Sequence, residues 1–481
     1  MGTPPQTESR GLGARAANAL GWSLVNTAAS RFGTLAIGIV LARVLGPQEF
    51  GTFAVAVVAL LAILAFNDLG VSLAIVRWAD EPADIAPTVT SVTVLTSAVL
   101  TGLVWVGAPY YATAMGAPAA TDPVRWLGMA ILVNGLVATP AALMQREMLQ
   151  KQRMVIDQVN VWLGAFTSLA LALTGWGAMS LAIGRLAGSV VSAVMFVVAS
   201  PLPYRLGWDR DVARRLLGFG LPLAGASVLV FVIGYLDQLV VGGVLGPVQL
   251  GLYVLAFNLA SWPVSLFSQP LRSVAPALFA RVRESPEIMA SGVSLFVRLL
   301  LGVSAPACLV LAAAAGPLVA LVYGQEWAGS APVLAWLAVF ALVRILAELC
   351  YDLLVVIGST QLLLLAQLLW VLALAVGAYV AAQSGRVWAV AVAQLVVGLV
   401  VVLPLYLWQL HRVDLPVRAL GGQVAPVVGA SVVGAGVVVV GATTLPSVAA
   451  LGLAGVVGLV LLAVRRRELV SDWQRLRSLT A

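Results

Sequence analysis

Charge is what this chain has least of. Only 10% of its 481 residues are Asp, Glu, Lys or Arg, against 61% hydrophobic, and the mean hydropathy is +1.02. Soluble domains carry roughly a quarter charged residues, so a water-soluble protein of this size is excluded. Cysteine is scarce as well. Cys308 and Cys350 both fall inside apolar runs, where they read as small core residues rather than a disulfide. The single histidine, His411, lies in a polar connection, and no zinc-ligand spacing, phosphate-binding loop or nucleophile elbow occurs anywhere. Neither a metal, a cofactor nor a catalytic centre is therefore expected. The first twenty residues hold no apolar core, so no cleavable signal peptide is expected and the first helix reads as a permanent span.

What the chain does have is long apolar runs. A spanning helix needs roughly 20 apolar residues, and about fourteen such stretches fit, the first centred near Ala36 and the last near Val457. The class is an all-α polytopic membrane protein with almost no chain left for a globular extramembrane domain. The net charge of +7 is explained by placement rather than by nucleic acid. With a cytoplasmic N-terminus, clusters such as Arg205 to Arg215 and Arg465 to Arg467 fall inside, and the opposite side keeps only Arg43, Arg125 and Arg386. This positive-inside bias predicts an even helix count with both termini cytoplasmic. A secondary attraction to anionic lipid headgroups is expected.

A repeat orders the runs. Val44-Leu45-Gly46-Pro47 returns as Val244-Leu245-Gly246-Pro247, and Gly51, Phe53 and Ala56 fall on Gly251, Tyr253 and Ala256. The offset holds about six spans, an even number, so the repeat is parallel. It predicts an N-lobe over 21–200, a charged, proline-rich linker over 201–215 and a C-lobe over 216–410. Two further helices over 423–464 follow, in a stretch without charge, and a basic tail over 465–481 reads as an interfacial helix with Trp473. Gly452, Gly455 and Gly458 form a smooth strip on the last span, which predicts close helix packing ahead of its other reading, a lipid-binding groove.

Ionisable groups at membrane depth are costly and point to a water-filled path or a paired site. The N-lobe offers Arg31, Asp68 and Arg185; the C-lobe offers Asp237, Arg298, Arg344, Glu348 and Asp352. The last three are spaced i, i+4, i+8, which sets them along one helix face. An Arg above two carboxylates predicts one ion pair with one carboxylate left over, as a proton- or sodium-coupled carrier requires; a purely structural ladder is the other reading. Asp68 and Asp237 join these as candidates for ion coupling or gating. Arg31, with Asn26 about a turn and a half earlier, sits near mid-depth and could hold a phosphate or carboxylate, or pair with Asp68 or Asp237. Arg298 invites the same role. Prolines at 140, 222, 263, 270, 276, 306, 404 and 426 allow kinks where neighbours satisfy the freed carbonyl. The span with Asn258, Trp262, Pro263, Gln269 and Pro270 is the most broken and most polar, and is expected to line a cavity. Trp262 there could stack on a sugar face.

Three groups of residues in order resemble the polysaccharide-exporter and oligosaccharide-flippase (Wzx-type) branch of the MOP superfamily. The first is Ala42-Arg43-Val44-Leu45-Gly46-Pro47 through Gly51, with Asn67-Asp68-Leu69-Gly70 and Ala74 to Arg77. The second is Leu245-Gly246-Pro247 to Tyr253, then Asn258, Pro263 and Pro276 to Arg281. The third is Tyr323-Gly324-Gln325-Glu326-Trp327 with Ala331 to Leu334. The resemblance implies two six-helix lobes in a V around a cavity and alternating access. It further implies flipping of a polyprenyl-pyrophosphate-linked oligosaccharide to the outer leaflet of a bacterial plasma (inner) membrane. In such proteins a cationic cavity holds the pyrophosphate or acidic sugars, a role Arg31 and Arg298 could take here. An H+ or Na+ gradient usually drives reset, and two extra C-terminal helices form a groove for the lipid tail. Polymerase or ligase proteins are implied downstream partners. The chain departs from some members in having a single lysine and few polar residues in its first two helices. A MATE-like cation-coupled antiporter of small molecules is the alternative; a membrane glycosyltransferase lacks the outer loops and catalytic acids it would need.

Overall fold

In the computed structural model the regular structure of the described residues is entirely helical. The backbone is described over residues 6–67, 69–272, 286–357, 360–412 and 417–480. Side chains are described over the same ranges except 6–34, 226, 270–271, 286–290, 357, 360–361, 417–421, 423, 473 and 476–480. Among these residues thirteen helices are long and apolar enough to cross a membrane. The first of them, Leu35–Asn67, runs through Gly46, whose φ of 68° and ψ of 175° break the helix. It therefore holds the end of the first expected span together with the second. By contacts the chain divides into two compact units, one of Met1–Leu45, Phe66–Val106 and Asp122–Ala224, the other of Gly46–Ala65, Gly107–Thr121 and Gly225–Ala481.

The first unit takes the start and last residues of α1 (Gln6–Asn67), the short α2 (Ser72–Arg77), α3 (Pro82–Ala114) as far as Val106, and α4 (Thr121–Arg146) from Asp122 on. It also takes α5 (Gln150–Leu173), α6 (Ala178–Val198) and the first part of α7 (Arg210–Leu245). Small residues let its helices approach closely, as expected where lipid offers no hydrophobic drive. On α5 and α6, a Cβ on Gly184 would lie 2.1 Å from Ser168 Oγ and one on Gly188 2.4 Å from the Asn160 carbonyl. On α3 and α4, the Thr93 hydroxyl donates to the Gly135 carbonyl at 3.1 Å and Thr90 to Thr139 at 2.9 Å. Buried Asn67 joins this ladder, accepting from Ser97 at 2.7 Å and donating to the Ile131 carbonyl. After it the chain turns through Leu69 and Gly70, both at positive φ. That turn lies against α7, where a Cβ on Gly220 would sit 2.1 Å from the Leu69 carbonyl oxygen. Asn67, Leu69 and Gly70 thus have a packing role of their own.

The second unit holds α8 (Pro247–Pro263), a π-helical turn Val264–Ser268, α9 (Gln269–Arg272), α10 (Pro286–Ala313), α11 (Ala315–Val322) and α12 (Ser330–Ile357). It continues through α13 (Thr360–Ala382), α14 (Val387–Val397), a second π turn Gly398–Val402, α15 (Leu403–Arg412), α16 (Val417–Thr444), α17 (Ser447–Val464) and α18 (Arg466–Thr480). The break expected around Pro263 is there: α8 ends at that proline, and the wider π turn follows it. Cys308 and Cys350 are buried free thiols, as read from their surroundings. The glycine strip on α17 is a correction. A Cβ on Gly452, Gly455 or Gly458 would meet nothing within 4 Å, so the strip faces open space. Close packing of the pair comes instead from α16, where Gly434 receives Leu461 and Val457 and Gly441 receives Leu453. Ala454 and Val438 are buried together with Ala314 beside the end of α10.

Candidate functional site

The most buried carboxylate among the described residues of the second unit is Asp237, 1% exposed on α7. Its Oδ2 accepts two hydrogen bonds, from the Tyr253 hydroxyl on α8 and from Gln394 Nε2 on α14, each at 2.6 Å. Both donors are neutral, so hydrogen bonds alone tie the carboxylate on α7 to two further helices. The side-chain oxygen of Gln394 is itself buried and has no partner among the described residues. A buried carboxylate is tolerated only when hydrogen-bonded or neutralised, which makes this a group whose protonation or pairing is sensitive to its surroundings.

A second constellation lies on α12. Arg344, Glu348 and Asp352 do share a face, but the spare carboxylate expected from sequence is not spare. Arg272 on α9 holds it. Its Nε and Nη2 donate to the two oxygens of Asp352 at 2.6 and 2.9 Å, a bidentate fork. Arg272 Nη1 also donates to Glu348 Oε2, and Nη2 to the Glu348 carbonyl at 3.2 Å. Arg344 Nε donates to Glu348 Oε1 at 2.8 Å. Two guanidinium groups thus face two carboxylates. The side chains of Arg272, Glu348 and Asp352 are 17, 22 and 16% exposed, and that of Arg344 is 35%. The π turn explains the miss: it carries α8 onward, so that Arg272 stays helical and reaches α12.

Arg298 is engaged elsewhere. Its Nη2 donates to Asp472 of α18 at 2.9 Å, and its Nε is buried. One turn on, Leu469 of α18 seats where a Cβ on Gly302 would lie. The tail expected to be helical is so, and it docks on α10. Asn258 is exposed and Trp262 half-buried one turn later on α8. Side chains of Asn26 and Arg31 lie outside those described; Asp68 and Pro276 lie outside the described residues altogether, as does the side chain of Pro270.

The two copies of the repeat meet within the second unit. Gly46 and Gly246 both adopt positive φ, 68° and 84°, and make the matching turns. Beyond them the glycines in register touch. A Cβ on Gly51 would sit 1.9 Å from the Pro247 carbonyl oxygen, and one on Gly251 2.6 Å from that of Pro47. Phe50 adds an edge-on contact to buried Trp327 at 5.4 Å, and Tyr323 packs beside Trp327. Burial pushes the Tyr323 phenol up to about 12, so this aromatic cover keeps its charge state at physiological pH.

These features sit in a known class of fold. The lipid II flippase MurJ in an inward closed conformation superposes with a TM-score of 0.74 at 13% identity, covering 93% of this chain and all of that one. An inward-facing multidrug resistance MATE family transporter of the MOP superfamily follows at 0.64 and 16%, covering 81% and 94%. The fold is that of the all-α polytopic transporters of this superfamily. The chain belongs to the polysaccharide biosynthesis protein family, whose model matches residues 40–332. Among its relatives, the succinoglycan biosynthesis transport protein ExoT of Rhizobium meliloti (strain 1021) is 25% identical over 66% of this chain. The lipopolysaccharide biosynthesis protein WzxC of Escherichia coli (strain K12) is 25% identical over 63%. The matched region spans 65% and 62% of the length of those two proteins.

Proposed function

We propose that this protein flips a polyprenyl-pyrophosphate-linked oligosaccharide, or a related glycolipid, from the cytoplasmic to the outer leaflet of a bacterial inner membrane. It does so by alternating access of two lobes, 21–200 and 216–410, in the service of surface polysaccharide synthesis. Membership of the polysaccharide biosynthesis family carries the reading. The names of the relatives support transport rather than bond-forming chemistry, and the distribution of arginine supports cytoplasmic termini. A polymerase or ligase would take the flipped product.

The test is direct. Full-length protein in liposomes, loaded with a lipid-linked oligosaccharide on one leaflet, exposes it to a lectin on the other; empty liposomes do not. The fold likeness to a multidrug carrier supports a second reading. Movement of cationic dyes without movement of the lipid-linked sugar would establish it and end the first.

An ion gradient resets the carrier at Asp237, a reading supported by its burial and by its two neutral donors. Asp237→Asn keeps an acceptor for both donors, so stability is expected to hold within about 1 kcal/mol. The same variant is expected to lose its response to an imposed H+ or Na+ gradient. A gradient response equal to wild type would remove Asp237 from the coupling site.

A further inference from the structure

The tail helix α18 stands on α10 by a small contact. Arg465, Leu469 and Asp472 are spaced i, i+4, i+7, which puts them on one helix face. Leu469 fills the notch left by Gly302, and Asp472 accepts from Arg298 Nη2 at 2.9 Å. A carboxylate is an unusual choice for the inward face of an amphipathic helix, since it is costly there unless it meets a cation. The Asp472 side chain is 11% exposed, and Arg298 is that cation.

The contact is incompletely satisfied. Arg298 Nε and Arg465 Nη1 are both buried with no partner among the described residues. Orphaned donors of charged groups offset much of what one partly exposed ion pair contributes, so the docking is weak enough to reverse. The rest of α18 is cationic. Its two acids are both engaged, Glu468 by Arg465 and Asp472 by Arg298, while Arg466 and Arg467 are exposed on its other faces. A single residue separates α18 from α17, an apolar span that ends at Val464. That tether holds the two arginines near headgroup level, where anionic lipid attracts them. The face that carries Leu469 can lie on α10 or in the bilayer interface, but not on both. Asp472 tips the choice, because it fits Arg298 and is repelled by an anionic surface.

We propose that α18 is a reversible clasp on α10 whose competing partner is the anionic phospholipid surface, with Asp472 selecting the docked position. Docked, it restrains α10, which packs in turn on α12, α16 and α17; released, it leaves α10 free to move. The effect on transport rests on the flippase reading, and the clasp itself on the geometry.

A disulfide trap in the full-length protein, reconstituted in vesicles, tests this. Gly302→Cys and Leu469→Cys face each other in the docked form, and the second change removes the side chain that crowds the first. The native Cys308 and Cys350 are buried. Cross-linking is expected to be slower in vesicles containing phosphatidylglycerol than in phosphatidylcholine alone. Arg466→Gln combined with Arg467→Gln should abolish that difference. In the phosphatidylglycerol vesicles Asp472→Asn is expected to slow trapping about tenfold, the worth of one charge-assisted hydrogen bond, and Asp472→Glu to stay within about twofold of wild type. A merely structural ion pair would instead lower the unfolding midpoint of Asp472→Asn and leave trapping indifferent to lipid. That result, or trapping of Asp472→Asn at the wild-type rate, overturns the proposal. Transport should stop on cross-linking and return with reductant; transport by the cross-linked protein would overturn the restraint on α10. If trapping follows lipid and Asp472 while the protein without the cross-link moves no lipid-linked sugar, the clasp stands and the flippase reading falls.

Discussion

Replacing Arg272 with glutamine is expected to destabilise the protein by about 3 kcal/mol, the low end of the cost of breaking a buried ion pair by removing one partner. The low end applies because the cluster keeps 16 to 22% exposure at its central groups, which lets water share the penalty. The damage falls unequally. Glu348 retains Arg344, whereas Asp352 loses both bonds of its fork and keeps no cation partner among the described residues. Arg272→Gln combined with Asp352→Asn is therefore expected to regain most of the loss, and combined with Glu348→Gln to regain little. Denaturant unfolding in detergent separates the three. If Arg272→Gln unfolds with wild-type stability, the tetrad does not hold α9 to α12. If both double variants recover equally, the division of labour between the two carboxylates is wrong.

The helical class, the repeat and the broken span at Pro263 were legible because each depends on local composition: apolar run length, glycine spacing, proline. The partners of the polar residues were not, because pairing across helices depends on rotations that a one-dimensional pattern does not contain. Arg272 lies just past a proline-broken span, and nothing in the sequence announces the π turn that keeps it helical. Asp472 sits in a basic tail, and its pairing with Arg298 bridges a separation of 174 residues. Two misses did leave a signal. Tyr253 replaces Phe53 in the repeat, adding a hydroxyl where the register demands only an aromatic ring, and that hydroxyl holds Asp237. Gln394 is an amide inside an apolar run, costly at that depth unless it has a partner. The glycine strip on α17 misled for the opposite reason: spacing shows that a face is smooth, not what lies against it.

Gly51→Ala is expected to abolish transport although it adds a single methyl group. That methyl would lie 1.9 Å from the Pro247 carbonyl oxygen and 2.6 Å from its carbon, and backbone atoms of a helix start cannot yield as a side-chain end can. The reciprocal change, Gly251→Ala, meets the Pro47 carbonyl at 2.6 Å and Gly51 itself at 3.0 Å, so either variant forces the two copies of the repeat apart. On the proposed alternating access this face shuts in one half of the cycle, and a contact made by the same residues of both copies is where a parallel repeat would shut it. Opening can be read chemically. A cysteine placed at Phe50, which now packs on Trp327, is expected to gain reactivity toward a membrane-impermeant thiol reagent when Gly51→Ala is added. The native Cys308 and Cys350 are buried and give a low background. Gly436→Ala serves as the control, since a methyl group there meets nothing within 4 Å. Wild-type transport by Gly51→Ala, with unchanged labelling at position 50, would show that the glycine contact is not an obligatory closure.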